Sequence, residues 1–348
     1  MNILMIGPSS ASKGGIATVI GNFEEHFESD AHTVTYLATW QEGSFTQRLQ
    51  TTIHSFFQLR KIIRDKHIDI VHIHMAQQGS FYRKALLLLL AKSKCRVILH
   101  IHASQFDIFY EKSHPLAQKY IRWILSKPDK VIVLSDEWAT FYNTLTDVPV
   151  TVIENAVKMP AESTYNNASQ HIIAFGRIGE RKGSYDILKV ANQVGQAFPD
   201  VQFDLYGDGE LEKVAAEIEA QQLNNVRLGG WIDATAKEAI LQDAALHILP
   251  SYHEGLPMAI LETMACGIPN LSTRVGGIPQ AITDNENGML IEAGDTDQLA
   301  TKIIRFLENQ AMRDQFSEKA RYTIATHFAI DPYLQKWEQI YTKTGEEK

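Results

Sequence analysis

The chain has 348 residues, enough for two compact units, and its 45 % apolar content is enough to fill two cores. Two cysteines, Cys95 and Cys266, argue against a disulfide framework or a cysteine-based metal site and for a reducing, cytoplasmic setting. Residues 1–150 hold 16 Lys and Arg against 13 Asp and Glu, a net of +3, whereas the remainder holds 17 against 28, a net of −11. Anionic partners are therefore expected on the first half, and nucleic acid is not expected at all.

Apolar runs alternate with helical patterns along the whole chain. Strands are expected at residues 2–6, 33–37, 68–74, 96–102, 130–134 and 150–153, then at 172–175, 202–206, 226–228, 246–249, 269–272 and 289–291. Such alternation predicts an α/β protein with two parallel, helix-covered sheets, hence two Rossmann-like domains. The pattern lapses in the polar, proline-containing stretch after Asn155, which reads as a linker. The expected domains are 1–155 and 156–328. A last helix, near residues 331–343, carries Tyr333, Leu334, Trp337, Ile340 and Tyr341 at helical spacing. No early stretch has the pattern of a secretory leader, and the apolar run at 85–91 is too short to span a bilayer.

Residues 251–267 place Glu254 and Glu262 around one helix start. Pro257 suits the first helical position and Gly267 the stop. The free N–H groups of such a start attract phosphate, and about five residues of helix put roughly 7 Å of rise between the two carboxylates. That spacing suits two hydroxyl-bearing rings flanking a diphosphate. For an isolated pair of glutamates the commoner explanation is an electrostatic cap and a solvated helix residue. Upstream, after an apolar run, stands Gly176-Arg-Ile-Gly-Glu-Arg-Lys-Gly183, with Arg177 a planar fork for phosphate oxygens and Lys182 a point charge.

Together these segments resemble the retaining family 4 glycosyltransferases of the GT-B fold, such as those of bacterial capsular and exopolysaccharide synthesis. The resemblance extends over nearly the whole chain and implies two Rossmann-like domains facing across a deep cleft, with the last helix, 329–345, crossing back to the first domain. It implies that Arg177 and Lys182 hold the leaving diphosphate, that Glu254 orients the transferred sugar, that Glu262 holds the ribose and that His102 touches the sugar. His100, two residues back on the same face, competes with His102. By the same resemblance Gly14 and Gly15 bring backbone N–H groups to the donor, Gly207 and Gly209 form a turn near the nucleotide, Gly230 frames the base and Leu256 adds backbone contacts. Asn155 matches an asparagine of the family's hinge, but Ala156 stands where the family has glycine.

No cofactor or metal is expected. Asp295-Thr-Asp297 matches the carboxylate pair of metal-dependent transferases, yet Asp295 reads better as a helix N-cap. His72 and His74 alternate on a strand without an acidic partner at ligand spacing. The leucine-rich segment 79–96, bracketed by Arg83, Lys84, Lys92, Lys94 and Arg96, reads either as a buried helix or as a surface for anionic membrane or a lipid-diphosphate, with residues 48–66 assisting.

The expected activity is retaining, metal-independent transfer of a sugar from a UDP-sugar to a glycan or lipid-linked glycan, in the cytoplasm at the inner face of the cell membrane. Two rivals share the pattern: a nucleotide-sugar epimerase of the same fold, and a non-catalytic sugar-nucleotide-binding subunit.

Overall fold

The computed structural model describes residues 1–346. Two compact units divide the chain, Met1–Ala156 together with the chain from Ile330 onward, and Val157–Ala329. The linker region therefore changes units one residue later than the sequence suggests.

In the first unit, β1 (Asn2–Pro8), β2 (Thr33–Trp40), β3 (Ile70–Met75), β4 (Arg96–Ile101), β5 (Lys130–Val133) and β6 (Val150–Val152) make one parallel sheet in the order β2-β1-β3-β4-β5-β6. In the second, β7 (His171–Phe175), β8 (Gln202–Tyr206), β9 (Val226–Gly230), β10 (Leu246–Leu249), β11 (Asn270–Thr273) and β12 (Met289–Ile291) form a parallel sheet ordered β12-β11-β10-β7-β8-β9. Every expected strand is present, and each order reverses direction once. The reversals lie between β1 and β3 and between β7 and β10, where doubly wound sheets open to ligands at their carboxyl ends.

The period of two sorts the first sheet's side chains into two cores. Leu4, Ile6, Val71, Ile73, Val97 and Leu99 face one way, toward the helices Gly79–Lys92 and Pro115–Leu125. Ile3, Met5, Ile70 and Ile98 face the other, where they meet Phe23 of helix Gly15–His26 and three aromatics of helix Ile330–Glu346. Those three, Tyr333, Trp337 and Tyr341, recur every fourth residue and so lie along one stripe of that helix.

One face of the leucine-rich segment is core, while Tyr82 and Leu86 on the other are exposed. In helix Gly79–Lys92 the side chains of Phe81, Lys84, Ala85, Leu87, Leu88 and Ala91 are buried. Lys84 is only 2 % exposed. Its ammonium donates to Thr39 Oγ1, and burial pushes its pKa down to about 7. Lys92 and Arg96 both bind Asp129, at 2.6 and 2.8 Å. Of the five cations expected to meet a membrane, Lys84 is thus buried and Lys92 and Arg96 are engaged, whereas Arg83 is half-buried and Lys94 is exposed. A longer run of exposed apolar side chains lies on helix Phe45–Asp65, started by a Ser44–Gln47 capping box. Phe45 (78 % exposed), Leu49, Ile53 and Phe57 (75 % exposed) recur at four-residue steps, among exposed Arg48, Arg60 and Lys61. Among the described residues, no helix is long and apolar enough to cross a membrane.

Candidate active site

Two loops meet at the carboxyl edge of the second sheet, where its strand order reverses. The loop after β7 carries Gly176 to Gly183 into helix Ser184–Ala197, and the loop after β10 carries Ser251 to Pro257 into helix Met258–Ala265. They are stitched together: Tyr252 N donates to the Arg181 carbonyl at 2.9 Å, Arg181 Nη1 donates to the His253 carbonyl at 3.1 Å, and Tyr252 Oη donates to Asp186 at 2.7 Å. At their centre Lys182 Nζ lies 2.5 Å from Glu254 Oε1, with Glu254 only 6 % exposed. A buried carboxylate requires such a partner, because desolvation otherwise drives it to its neutral form.

Arg177 is placed differently. Its guanidinium is 66 % exposed and reaches Asp208 at 3.5 Å, on the turn that follows β8. That turn packs on the Arg177 loop through backbone bonds, with Ile178 N donating to the Asp208 carbonyl at 2.7 Å and Glu210 N to the Ile178 carbonyl at 2.9 Å. Its glycines are required by contact, since a Cβ on Gly207 would strike the Gly176 carbonyl and one on Gly209 the Ile178 carbonyl. Gly207 N also donates to the Gly230 carbonyl at 2.7 Å, so Gly230, at the end of β9, adjoins the same edge.

One detail differs from the sequence reading: Pro257 is the N-cap, with extended backbone, so the helix begins at Met258. The side chain of Leu256 is buried beside Glu254 in the same loop. Glu262 is half-buried on the helix and is bound by Lys237 Nζ, whose ammonium also sits 5.3 Å above the Phe175 ring. Lys237 comes from helix Ala234–Leu241. It was missed because it lies 25 residues before Glu262 in no recognisable motif. Arg181 was missed for a related reason: it looked like the spacer between two functional cations. Gly267 does end the helix, at φ +80°.

In the first unit, Gly14 is the N-cap of helix Gly15–His26, and no side chain caps that start. His102 follows the last residue of β4. It belongs to a ladder of four histidines on one sheet face: His72 and His74 from β3, then His100 and His102 from β4 and its end. His74 pairs with His100 in register. His72 Nδ1 bonds Tyr341 Oη at 2.8 Å and its Nε2 bonds His100 Nδ1 at 3.2 Å, while His74 Nδ1 bonds His102 Nε2 at 2.9 Å. His100 is fully buried and His102 lies nearer the edge. Burial holds the ladder neutral, His72, His74 and His100 well below the usual imidazole range and His102 down to about 3.

His72, His74 and His100 offer ring nitrogens within 4.8 Å of one another. That donor set contains no carboxylate to offset a divalent charge in a fully buried face, and two of its members spend a nitrogen on each other. Asp295 caps helix Thr296–Glu308, accepting from Gln298 N at 2.9 Å.

Two doubly wound sheets, one of them with a cation–carboxylate edge at its reversal point, define a two-domain Rossmann-type protein fitted for phosphate-bearing ligands. Residues 13–159 match the model of Glycosyltransferase Family 4, and residues 158–323 match that of Glycosyl transferases group 1. The chain is 25 % identical to an uncharacterized 41.2 kDa protein in the cps region of Klebsiella pneumoniae, over 98 % of this chain and 99 % of that one. It is 28 % identical to the poly(ribitol-phosphate) α-N-acetylglucosaminyltransferase of Staphylococcus aureus, over 65 % of this chain but only 46 % of that protein. Among solved structures, Anabaena HepE in complex with UDP-glucose superposes with a TM-score of 0.77 at 19 % identity, covering 99 % of this chain and all of that one. The protein belongs to the family 4 glycosyltransferases and has the GT-B fold.

Proposed function

We propose that the protein is a retaining, metal-independent hexosyltransferase that moves a sugar from a UDP-sugar to a hydroxyl of a glycan or lipid-linked glycan during polysaccharide synthesis. The observation that carries this reading is the Lys182–Glu254 pair at the edge of β7 and β10. As the bond to the nucleotide breaks, negative charge gathers on the diphosphate and positive charge on the sugar ring. Lys182 has three N–H donors, so it holds Glu254 and a phosphate oxygen at once, and exposed Arg177 adds a second cation. Glu254 is thereby oriented toward the sugar. Glu262, steadied by Lys237, takes the ribose, and His102 serves the transferred sugar as a neutral imidazole. With two cations for the diphosphate, no divalent ion is called for.

UDP as the nucleotide is supported by the UDP-glucose complex of HepE, and a capsular or related glycan as the product by the cps-region relative. Peripheral contact with the inner face of an anionic membrane is supported by the apolar, arginine-flanked stripe on helix Phe45–Asp65. The test is nucleotide release from UDP-glucose, UDP-galactose, UDP-N-acetylglucosamine and GDP-mannose, in excess chelator, with and without lipid-linked sugar acceptors. Acceptor-dependent release of UDP is expected. Conversion of the donor sugar without any acceptor would assign the protein as an epimerase, and donor binding without turnover as a binding subunit.

A further inference from the structure

We propose that His74 is a positioning residue that fixes His102 in the tautomer protonated at Nδ1. The proposal rests on the reading that His102 serves the transferred sugar, and it adds what His102 offers there: a hydrogen-bond donor.

The argument is one of donors and acceptors. In neutral imidazole one ring nitrogen donates and the other accepts, and His74 Nδ1 and His102 Nε2 stand 2.9 Å apart, so one of them carries the proton. The opposite ring nitrogen of His74, Nε2, is buried and has no partner. Were His102 the donor, the proton of His74 would sit on that buried Nε2 as an N–H with nothing to receive it. A buried donor without an acceptor loses its hydration outright, which proteins tolerate less readily than a spare lone pair. The proton therefore lies on His74 Nδ1, His74 donates, His102 Nε2 accepts, and the proton of His102 is on Nδ1.

The rings hold this arrangement in place. His102 stacks on His74 at 5.0 Å between centroids and 23° between planes, and packs against His100 at 4.0 Å. His74 stacks in turn on His72 at 4.4 Å, and His72 lies 4.4 Å from the Trp337 ring. The same reasoning applies to the deeper pair, because His100 Nε2 is also buried without a partner. A ladder ordered in this way hands His102 to its ligand as an Nδ1–H donor suited to a sugar oxygen. It does not hand over a lone pair, so His102 acts as a binding group and not as a base. Its neutrality also adds no cation beside a sugar ring that is itself gaining positive charge.

The experiment uses the full chain labelled with ¹⁵N-histidine. Long-range ¹H–¹⁵N correlation should show His102 as a single species, protonated at Nδ1, and His74→Phe, which keeps a ring in the stack but removes the donor, should leave His102 a mixture of tautomers. In nucleotide release from UDP-glucose or UDP-N-acetylglucosamine, His74→Phe should lower kcat by about tenfold to a hundredfold, the usual scale for losing a group that orients a functional one, with donor KM little changed. His74→Asn, whose amide can donate, should recover part of the loss. The double variant His74→Phe/His102→Ala should be no slower than His102→Ala alone. His102 protonated at Nε2 in the wild type, or losses that add in the double variant, would overturn the proposal. Full activity of His102→Ala would instead overturn the role of His102 at the sugar, and the tautomer measurement would still decide the link to His74. Thermal melts of each variant separate misfolding from these effects.

Discussion

Lys182 Nζ and Glu254 Oε1, 2.5 Å apart, join the loop after β7 to the loop after β10 across the point where the second sheet changes direction. On the proposed function the contact gives Lys182 two duties, holding a buried carboxylate and meeting a phosphate, whereas exposed Arg177 pairs with the half-exposed Asp208 and meets the phosphate without holding a buried group.

That asymmetry separates two variants. Arg177→Ala and Lys182→Ala should each cost about 10²–10³ in turnover, the scale of losing one preorganised charge contact. Only Lys182→Ala should also cost stability, by up to about 3–5 kcal/mol, because it removes the nearest cation from the buried Glu254 carboxylate and leaves Arg181 at 4.0 Å. Urea titration alongside kinetics checks both. Turnover within about threefold of wild type in both variants would remove the clamp from the mechanism.

The two glutamates should differ kinetically. On the proposed roles, Glu254→Gln should chiefly lower kcat, since a sugar held by Glu254 changes during reaction, and Glu262→Gln should chiefly raise donor KM, since a ribose held by Glu262 is alike in both states. Lys237→Ala should follow Glu262→Gln, because it frees the carboxylate that Lys237 holds. Equal effects on kcat and KM in the two glutamate variants would end that division of labour.

Two glycines of the same edge should respond unequally to alanine. Gly207→Ala drives a methyl into the Gly176 carbonyl and should displace the Arg177 loop, with loss of donor affinity. Gly230 has φ +66° but open space around its Cβ position, so Gly230→Ala should cost only about 1–2 kcal/mol of backbone strain. Calorimetric titration with UDP reads the difference, and equal affinities would refute it.

The histidine ladder should make stability sensitive to mild acid. His72, His74 and His100 have native pKa values depressed by burial below the unfolded value of about 6.5. Below that pH the unfolded chain takes up protons that the native face refuses. Stability is therefore complete above about pH 6.5 and declines as pH falls, by about 1 kcal/mol per histidine between pH 6.5 and 5.5. His102 and His247, likewise depressed by burial, add to the decline, so urea midpoints across that range should show it and His100→Asn should lessen it by about a fifth. A flat profile would mean that the ladder is hydrated.

Vesicle binding should depend on helix Phe45–Asp65. Phe45→Ser/Phe57→Ser should weaken co-sedimentation with anionic vesicles at least about tenfold, as burial of each ring contributes about 1.5–3 kcal/mol, while affinity for UDP stays unchanged. Wild-type protein that ignores such vesicles would place its acceptor in solution.

The strands were legible because local apolar runs report burial on two faces, and the paired loops because Gly176, Lys182, Glu254 and Glu262 lie in compact segments. What escaped depended on distant partners. The alternation of His72 with His74 shows a shared face, but nothing in β3 shows that β4 supplies His100 and His102 beside it, or that Tyr341 closes the far end. Lys84 read as a flanking cation until Thr39, 45 residues earlier, proved to receive its ammonium. Pro257 was misplaced by one residue, since a proline is tolerated both at a cap and just inside the helix.

The return of helix Ile330–Glu346 to the first unit also sets an order of events during synthesis. The second unit is continuous in sequence and has all its residues once Ala329 is made. The first sheet, although its six strands emerge earlier, lacks Tyr333, Trp337 and Tyr341 until after that point, and its histidine face has no aromatic cover. The half of the protein that is translated first is therefore the half that is finished last. Arrested chains stopping near residue 329 should show a protease-resistant second unit beside a first unit that is still open to cleavage.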